Sequence, residues 1–474
     1  MSLASTAAQP AVVGHCPTIA AIATATGPGG IGIVRISGPA AIIIAERLFF
    51  RKNCLVSSRL RDTRMTYGTI ADHQSSGNHP STARGGWIDE AICLVFHSPH
   101  SYTGEDVVEF QCHGGPVVLR RVLDAVLRAG ARLAAPGEFT RRAYLNGRID
   151  LAKAEAVMQL VSAGSEQAAR AAAAAMGGAL SNHIAAVRQA LVAQAARIAA
   201  WTDYPEEDFD DPQAEQIAGV LSHASEQLAA LIMRSSAGQA VLSGVSTAIV
   251  GPPNAGKSSL MNRLAGYDRS IVTARPGTTR DTVTEAVQLP GGVTLRLTDT
   301  AGLRESEDMV ERIGVERGRA AMAAADLILA VFDITQPIDQ ALLAQLDPAR
   351  TILVLNKSDL TSAAPAINAS APVVTVSALT GQGMDGLARA IEALLGTANF
   401  SPDEAILANH RQAQSARDAL ASIEDAQRTL SDGYPLDAVA ICIEDAIQAL
   451  CSLTGERASE SIVDEVFARF CVGK

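Results

Sequence analysis

The segment "GPPNAGKS", Gly251 to Ser258, carries the residue types and spacing of a loop that wraps phosphate groups. It fits the pattern G-x-x-x-x-G-K-[ST], and it stands between a run typical of a buried strand and a run typical of a helix. Glycines let backbone N–H groups turn toward phosphates, Lys257 would reach the terminal phosphates, and the Ser258 hydroxyl would bind Mg²⁺. A chance match is expected in about a few per cent of chains this long, so the motif alone only suggests a nucleotide site.

Two later segments carry residues that would complete a magnesium site. "DTAG", Asp299 to Gly302, ends a predicted strand, where Asp299 can act on Mg²⁺ through water and Gly302 can contact a γ-phosphate. "GTTRD", Gly277 to Asp281, falls in the loop between the phosphate-loop helix and the next strand, and Thr279 is our candidate for the remaining protein ligand.

Two further strand ends carry groups suited to guanine. The carboxylate of "NKSD", Asn356 to Asp359, can accept hydrogen bonds from the N1–H and 2-amino groups of guanine, a donor pair that adenine lacks. "SAL", Ser377 to Leu379, would place backbone N–H groups near the guanine carbonyl. Five elements in this order predict a GTP site. Its predicted GTP contacts are Asn254, Ala255, Gly256, Lys257, Ser258, Ser259, Thr273, Thr278, Thr279, Asp299, Thr300, Ala301, Gly302, Asn356, Lys357, Asp359, Ser377 and Ala378, with Ser258 and Thr279 as Mg²⁺ ligands.

The residue after "DTAG" raises a question about catalysis, because Leu303 stands where many such hydrolases have a glutamine that aims the attacking water. One candidate replacement is a K⁺ ion held by Asn254 and by backbone carbonyls of "TARPGTT", which would neutralise charge on the bridging oxygen. A second is Glu311, which would orient water through a bridging water but is as readily explained as part of a solvated helix face. Arg280 and Arg304 are weaker candidates that suit surface positions equally well.

The elements that must position these residues fall into three kinds of sequence. The middle of the chain alternates buried strands with helices, as in a doubly wound α/β domain. Residues 151–200 include twenty alanines among fifty residues and no proline, which predicts long packed helices. We predict a multidomain chain with an N-terminal α+β domain, a helical bundle built from two segments and an inserted P-loop domain with a mostly parallel sheet. The predicted boundaries are 1–133, 134–240 for the first helical part, 241–400 for the inserted domain and 401–474 for the second helical part.

Net charge, cysteine content and the length of apolar runs limit the classes of protein to which this chain can belong. The chain has 474 residues and a net charge of -11, so its overall field does not favour nucleic acid and any RNA contact needs a local patch or a partner. Seven dispersed cysteines without a C-x-x-C pair indicate neither a disulfide framework nor a zinc site, and a reducing compartment fits best. The longest apolar runs are too short to span a bilayer, and no Lys or Arg precedes Arg35, so we expect a cytoplasmic protein without a targeting peptide.

Several segments outside the GTP motifs resemble the MnmE (TrmE) family of tRNA uridine-modification GTPases. They are "GGIGIVRISG", "SYTGEDVVEFQCHGGP", "PGEFTRRAYLNGRIDLAKAEAV" and the terminal "FCVGK". The resemblance implies a GTP hydrolase (EC 3.6) that helps to place a carboxymethylaminomethyl-type group on C5 of the wobble uridine of certain tRNAs. It implies a homodimer, an FAD-dependent partner (MnmG, or GidA) in a heterotetramer or larger complex, and a 5-formyl- or 5,10-methylene-tetrahydrofolate cofactor.

The resemblance also implies roles for individual residues. Its water-orienting glutamate falls on Glu311. The ligands of K⁺ would be Asn254, Thr273, Arg275 and Thr278, with Arg275 acting through its backbone carbonyl. The folate contacts would be Arg35, Glu109, Arg148 and Lys474. Related sequences carry lysine at the Arg148 position, and arginine keeps the charge there but not the geometry.

Other signals favour simpler explanations. "GPGGIG" precedes a predicted strand rather than a helix, which argues against a second nucleotide site, and "HGG" at His113 is best explained as a turn. Seven arginines between Arg120 and Arg148 form either a contact patch for tRNA or a partner, or an ordinary solvated face. Cys471 is either a reactive thiol near the folate carbon or a small apolar residue of the tail.

Two other classes of function stay open at this point. An Era-like ribosome-assembly factor would share the GTP motifs, but the sequence carries no second set of them, no C-terminal G-x-x-G and no basic tail. A membrane-remodelling GTPase would need an anchor or a basic amphipathic helix, and neither is visible.

Overall fold

The structure is a computed structural model that describes residues 17–25, 27–51, 65–72, 86–203, 212–266, 284–298, 322–361, 365, 367, 369–468, 470 and 473. Its contacts divide the chain into two compact units. Unit 1 comprises Met1–Ala154 and Ala458–Lys474, and unit 2 comprises Glu155–Arg457. Among the described residues, no helix combines the length and hydropathy needed to cross a membrane.

Unit 1 is built on a seven-stranded sheet in the order β3-β4-β5-β6-β2-β1-β7, in which every pairing is antiparallel except that of β1 with β7. Its strands are β1 Ile19–Ile22, β2 Gly29–Ser37, β3 Phe49–Arg51, β4 Met65–Ala71, β5 Trp87–Phe96, β6 Val107–Gly114 and β7 Arg132–Leu133. Its helices are α1 Ala41–Leu48, α2 Pro116–Arg128, α3 Glu138–Leu145, the start of α4 Leu151–Ser162, and α14 Glu460–Ala468.

The alternation of side chains along the strands decides which residues of this sheet pack against α1 and α2. Val108, Phe110 and Cys112 of β6 are buried in a core that includes residues of α1 and α2. Successive side chains of a strand point to opposite faces, so Glu109 and Gln111 lie on the other face. The segment "IGIVRIS" is part of a strand, as predicted, whereas in "HGG" His113 and Gly114 end β6 and Gly115 precedes α2.

The carboxy-terminal helix α14 packs on α3 within unit 1. The ring of Phe467 lies 6.3 Å from that of Tyr144 and 5.0 Å from that of Phe470. Arg141 adds an ion pair to Asp464, with 2.9 Å between Nη2 and Oδ1. By contacts, residues 458–474 group with the amino-terminal unit, and the predicted helical segment 401–474 stays a prediction.

The helical part of unit 2 consists of the rest of α4 and six further helices. They are α5 Glu166–Met176, α6 Ala179–Asp203, α7 Ala214–Met233, α8 Ser235–Ser243, α12 His410–Ser431 and α13 Leu436–Thr454. Helix α12 contacts α7 and α13, and α13 contacts α6. Small residues on the buried stripe of α12, such as Ala413, Ala416 and Ala419, allow this close packing. Helices from before and after the sheet of unit 2 therefore pack together.

A buried ion-pair network ties three helical segments of unit 2. The carboxylate of Glu155 accepts hydrogen bonds from Arg411 at 3.0 and 2.8 Å and from the Gln412 side chain at 2.6 Å. Arg411 also donates to the carbonyl oxygens of Ser452 and Leu453, at 2.8 and 3.1 Å. The network satisfies orphan carbonyls at the end of α13 while it fixes the start of α12.

The sheet of unit 2 has six strands in the order β13-β12-β11-β8-β10-β9, all parallel to their neighbours except β9. The strands are β8 Val245–Val250, β9 Thr284–Gln288, β10 Thr294–Thr298, β11 Leu327–Asp333, β12 Thr351–Asn356 and β13 Val373–Thr375. The helices are α9 Lys257–Leu264, α10 Gln340–Leu343 and α11 Met384–Leu394. Adjacent residues of β11, such as Leu329 and Ala330, belong to different buried clusters on the two faces of the sheet. This burial on both faces explains the continuous apolar runs, and the parallel order is the predicted one.

The turn between β9 and β10 is held from two sides. The backbone N–H of Gly291 donates to Glu392 Oε1 on α11, at 2.9 Å. The side chain of Gln167 on α5 lies against Gly292, and Gly164 lies against Thr294, the first residue of β10. The turn is therefore where the α/β part meets the helices that precede it.

Candidate functional site

The phosphate loop joins the carboxyl end of β8 to the start of α9, at the edge where the parallel strands end. Gly251 opens the loop with a φ of 150°, and a Cβ there would lie 2.1 Å from the carbonyl oxygen of Val331. The loop therefore approaches β11 more closely than any side chain would permit. Asn254 is left-handed, with a φ of 60°, a conformation that asparagine tolerates better than most residues.

Lys257 is folded onto its own loop. Its ammonium group donates to the carbonyl oxygen of Gly251 at 2.9 Å and to that of Pro252 at 2.8 Å. Burial lowers the pKa of Lys257, because a desolvated ammonium is less stable than a hydrated one. Ser258 and Ser259 are exposed at the first turn of α9, where free backbone N–H groups and the helix dipole favour an anion.

Asn356 connects the phosphate loop with the loop that follows β13. Its side chain is buried, donates through Nδ2 to the carbonyl oxygen of Ala255 at 2.9 Å and accepts through Oδ1 from the backbone N–H of Ala378 at 3.0 Å. One amide thus fixes two segments that lie more than a hundred residues apart in the sequence. The arrangement brings together the predicted phosphate and base contacts.

Asp359 is held by a neighbouring hydroxyl. Ser377 Oγ donates to Asp359 Oδ1 at 2.5 Å and accepts from the backbone N–H of Thr380 at 3.1 Å. A carboxylate can accept several hydrogen bonds, so this contact orients Asp359 and leaves acceptor capacity for a ligand.

Lys357 is held by Asp333 at the end of β11, a residue that the sequence analysis did not identify. Lys357 Nζ lies 2.6 Å from Asp333 Oδ2, and the Lys357 backbone has a φ of 66°. Burial alone would raise the pKa of Asp333, but hydrogen bonds from Lys357 and Thr335 hold it below its usual value. The only signal in the sequence is the position of Asp333 at a strand end on the same sheet edge.

Part of the predicted site lies outside the described residues. These positions are Thr273, Arg275, Thr278, Thr279, Asp299, Thr300, Ala301, Gly302, Glu311, Cys471 and Lys474. Within the described ranges, no group of three or more His, Cys, Asp or Glu side chains is placed to hold a metal ion. The described donor for Mg²⁺ is therefore the Ser258 hydroxyl, which fits a site completed by phosphate oxygens.

In unit 1, Arg35 and Glu109 are direct cross-strand partners on the face of the sheet opposite to α1 and α2. Arg35 Nε donates to Glu109 Oε1 at 2.7 Å. The guanidinium also lies 5.8 Å from the ring centre of Tyr102 and 5.6 Å from that of Phe139, within cation–π range. Arg148 is exposed on the turn after α3, with its stem beside Gly104. A partly buried cation, a carboxylate and aromatic rings suit a flat heterocycle with N–H groups and an anionic tail.

The arginine-rich stretch is largely neutralised by acidic partners. Arg142 is buried between Glu105 and Glu138, and Arg128, Arg132 and Arg141 each pair with a carboxylate as well. Arg142 Nη2 also donates to the carbonyl oxygen of Pro17 at 2.8 Å. Most of these partners are distant in sequence, which is why the stretch looked basic when taken alone. The pairing favours a structural role for it.

Comparison with known proteins covers almost the whole chain. The family description "MnmE helical domain" matches residues 151–471, and "GTP-binding protein TrmE N-terminus" matches residues 18–148. A protein of Symbiobacterium thermophilum named tRNA modification GTPase MnmE is 45% identical over 466 residues, covering 96% of this chain and 99% of its own. A protein of the same name from a Roseiflexus species is 42% identical over 473 residues, with the same coverage.

Solved structures resemble a smaller part. A variant of Aquifex aeolicus Era bound to GDP and AlF4⁻ is 26% identical and covers 38% of this chain and 66% of its own, with a TM-score of 0.24. A score this low adds nothing to the comparison of sequences.

Proposed function

This chain belongs to the MnmE family of tRNA modification GTPases, and we propose that it binds and hydrolyses GTP as part of a tRNA-modifying complex. The observation that carries the proposal is the bridge made by Asn356. It joins the phosphate loop at Ala255 to the base loop at Ala378, beside a carboxylate, Asp359, that a serine holds in place. A loop for phosphate and an oriented carboxylate for guanine then form a single site.

Selectivity for guanine rests on Asp359. Its carboxylate accepts from the N1–H and the 2-amino group of guanine, and adenine would leave it partly unpaired. Lys257 exchanges its loop carbonyls for phosphate oxygens on binding, and the N–H groups at the start of α9 face the same anion.

Hydrolysis transfers the γ-phosphoryl group to water, breaking its bond to the β–γ bridging oxygen and giving GDP and phosphate. We assign orientation of the attacking water to Glu311, and metal contacts to Ser258, Thr279 and Asp299. Bound Mg²⁺ and K⁺ would supply positive charge to the phosphates, in place of an arginine finger. Asn254 would offer its side-chain oxygen to K⁺, together with Thr273, Arg275 and Thr278. The exposure of Asn254 in the phosphate loop supports this assignment, because its side-chain oxygen is accessible to an ion.

For unit 1 we propose binding of a tetrahydrofolate through Arg35, Glu109, Arg148 and Lys474, and dimerisation through the sheet face opposite to α1 and α2. Cross-strand pairing places Met65, Leu94, Glu109 and Arg35 in one row of that face. Met65 is 69% exposed, so apolar surface continues from the polar pair across the sheet. The exposed apolar end of this row supports a dimer with folate sites beside its interface.

The proposed complex contains two copies of this chain, an FAD-dependent MnmG partner and tRNA, in the cytoplasm. GTP hydrolysis in the inserted domain would drive the conformational change that accompanies modification of C5 of the wobble uridine. The first test is GTP turnover in K⁺ compared with Na⁺, where equal rates would exclude the cation mechanism. The second is Glu311→Ala, which should keep nucleotide binding and lose turnover. The third is analysis of wobble nucleosides in tRNA from cells lacking the protein, where an unchanged set of modified uridines would refute the role in tRNA.

A further inference from the structure

Arg263 extends from the phosphate-binding helix to the base loop. It lies two turns after Lys257 on α9, and its Nη2 donates to the carbonyl oxygen of Leu379 at 3.2 Å. Leu379 follows Ser377 and Ala378, the segment that would contact the guanine carbonyl. The Leu379 side chain is 80% exposed, so it is the backbone of this loop, rather than a buried side chain, that Arg263 holds.

The fit between Arg263 and the loop is close because Gly381 has no side chain. Gly381 has a φ of 90°, and a Cβ at that position would lie 2.6 Å from Arg263 Nη2 and 3.0 Å from Cζ. The flat guanidinium therefore packs against the glycine backbone, and a residue with a side chain at 381 would displace it.

A chain of hydrogen bonds runs from this contact to the carboxylate of Asp359, which would bind guanine. The backbone N–H of Gly381 donates to the carbonyl oxygen of Ser377 at 2.8 Å, and the backbone N–H of Ser377 donates to that of Gln382 at 2.9 Å. The Ser377 hydroxyl in turn donates to Asp359 at 2.5 Å. Any movement of the loop at Leu379 or Gly381 thus reaches the group that orients Asp359.

The arrangement carries a cost that a simple surface arginine would avoid. Arg263 Nε is buried without a hydrogen-bond partner in the described part of the chain. A buried unpaired donor is unfavourable, so the side chain is held there by its other contacts. Lysine would avoid the unpaired Nε–H, but it has no flat group to pack on Gly381.

We propose that Arg263 is a positioning residue for guanine selectivity: it fixes the loop 377–383, and through Ser377 it aims Asp359 at the base. The inference rests on the proposed GTP site and adds a residue from the phosphate-binding helix to base recognition. The phosphate-binding and base-binding parts of the site would then be joined at two places. Asn356 joins them before the first turn of α9, and Arg263 joins them near its last turn.

The test compares dissociation constants for GTP and ITP, because inosine lacks the 2-amino group and keeps the N1–H. In the unaltered protein GTP should bind more tightly than ITP. In Arg263→Lys and Arg263→Ala the GTP/ITP preference should fall by about fivefold or more, while ITP binding changes by less than about twofold, since a misaimed carboxylate loses the second hydrogen bond first. Arg389→Ala, an exposed arginine on α11, serves as the matched control and should keep the preference.

A double-mutant cycle separates positioning from general support of α9. With Asp359→Asn already in place, Arg263→Ala should not change the GTP/ITP preference further. If Arg263→Ala weakens GTP and ITP equally, Arg263 merely supports the helix and the inference is overturned. If the unaltered protein binds ITP as well as GTP, it is the proposed guanine site that fails. Thermal melts confirm that each variant is folded, and Arg263→Lys remains informative if the alanine variant is not.

Discussion

The ammonium nitrogen of Lys257 lies 2.9 Å from the carbonyl oxygen of Gly251, six residues earlier in the same loop. Lys257 is thus hydrogen-bonded to its own loop, and we expect the phosphate oxygens of a bound nucleotide to replace these carbonyl oxygens. Because the ammonium group passes from carbonyl oxygens to phosphate oxygens, its buried charge is not left without a partner.

The first prediction concerns pH. Burial lowers the pKa of Lys257, so the group begins to lose its proton below the range of an ordinary lysine. Phosphate binds the protonated form, so nucleotide binding takes up a proton wherever Lys257 is partly neutral, and affinity must fall as pH rises. We expect GDP affinity, measured by calorimetry, to decline as the pH is raised toward about 10.4, the ordinary pKa of a lysine side chain.

The control for this prediction is Lys257→Met. It should weaken GDP binding by about tenfold or more and remove the part of the pH slope that belongs to Lys257. Guanine itself loses a proton toward the alkaline end, and the slope that remains in the variant measures that contribution. An identical slope in both proteins would exclude Lys257 as the titrating group.

The second prediction concerns the bridge at Asn356. Asn356→Ala leaves the Ala255 carbonyl and the Ala378 N–H without their partner, at about 1–3 kcal/mol for each buried group. We expect GTP and GDP affinity to fall by about 10- to 100-fold, measured by fluorescence titration. Asn262→Ala, at an exposed position on α9, should leave affinity within about twofold of normal. Equal effects of the two substitutions would contradict the bridging role.

The third prediction concerns stability of the helical part. Arg411→Met removes a cation from Glu155, which would stay buried with Gln412 as its remaining side-chain partner among the described residues. We expect the free energy of unfolding of this part to fall by about 3 kcal/mol in urea titrations. The exposed pair of Arg170 and Asp403 provides the comparison, and Arg170→Met should cost less than about 1 kcal/mol. A loss of similar size for both pairs would show that burial does not set the cost.

The fourth prediction concerns thiol reactivity. Burial raises the pKa of Cys112 to about 12, so at about pH 8 only about one thiol in 10⁴ is ionised. We expect iodoacetamide to leave Cys112 unmodified in the native protein, while Cys442, which is partly exposed on α13, reacts at least about tenfold faster. Peptide mass spectrometry distinguishes the two sites, and denaturation should make Cys112 reactive. Labelling of Cys112 before Cys442 would show that the core of unit 1 opens.

Local patterns predicted the elements that position the nucleotide site. The buried runs correspond to β8, β10, β11, β12 and β13, and the phosphate loop lies between a strand and a helix as expected. The runs of β11 and β12 are readable because both faces of these strands are buried, whereas β10 exposes Arg296 and β13 exposes Val373. The roles of the site residues in binding and catalysis stay predictions until ligands are measured.

Contacts between distant residues could not be predicted in the same way. Arg411 and Glu155 are 256 positions apart, and nothing near either residue indicates that they form a buried pair. The same holds for Lys357 with Asp333 and for Arg263 with Leu379, whose proximity depends on the sheet order. Assignment of residues 458–474 to unit 1 likewise depends on where Phe467 and Phe470 pack, and helical periodicity does not carry that information.

The clamped turn between β9 and β10 has a mechanical consequence. Strand β10 is bonded to a neighbour on each side, begins against Gly164 of the helical region and ends at Thr298, immediately before Asp299. A strand in such a ladder can neither stretch nor slide by a fraction of a step, so its ends stay about 13 Å apart. The strand therefore acts as a rigid spacer between Gly164 in the helical region and the residue that precedes Asp299 in the sequence.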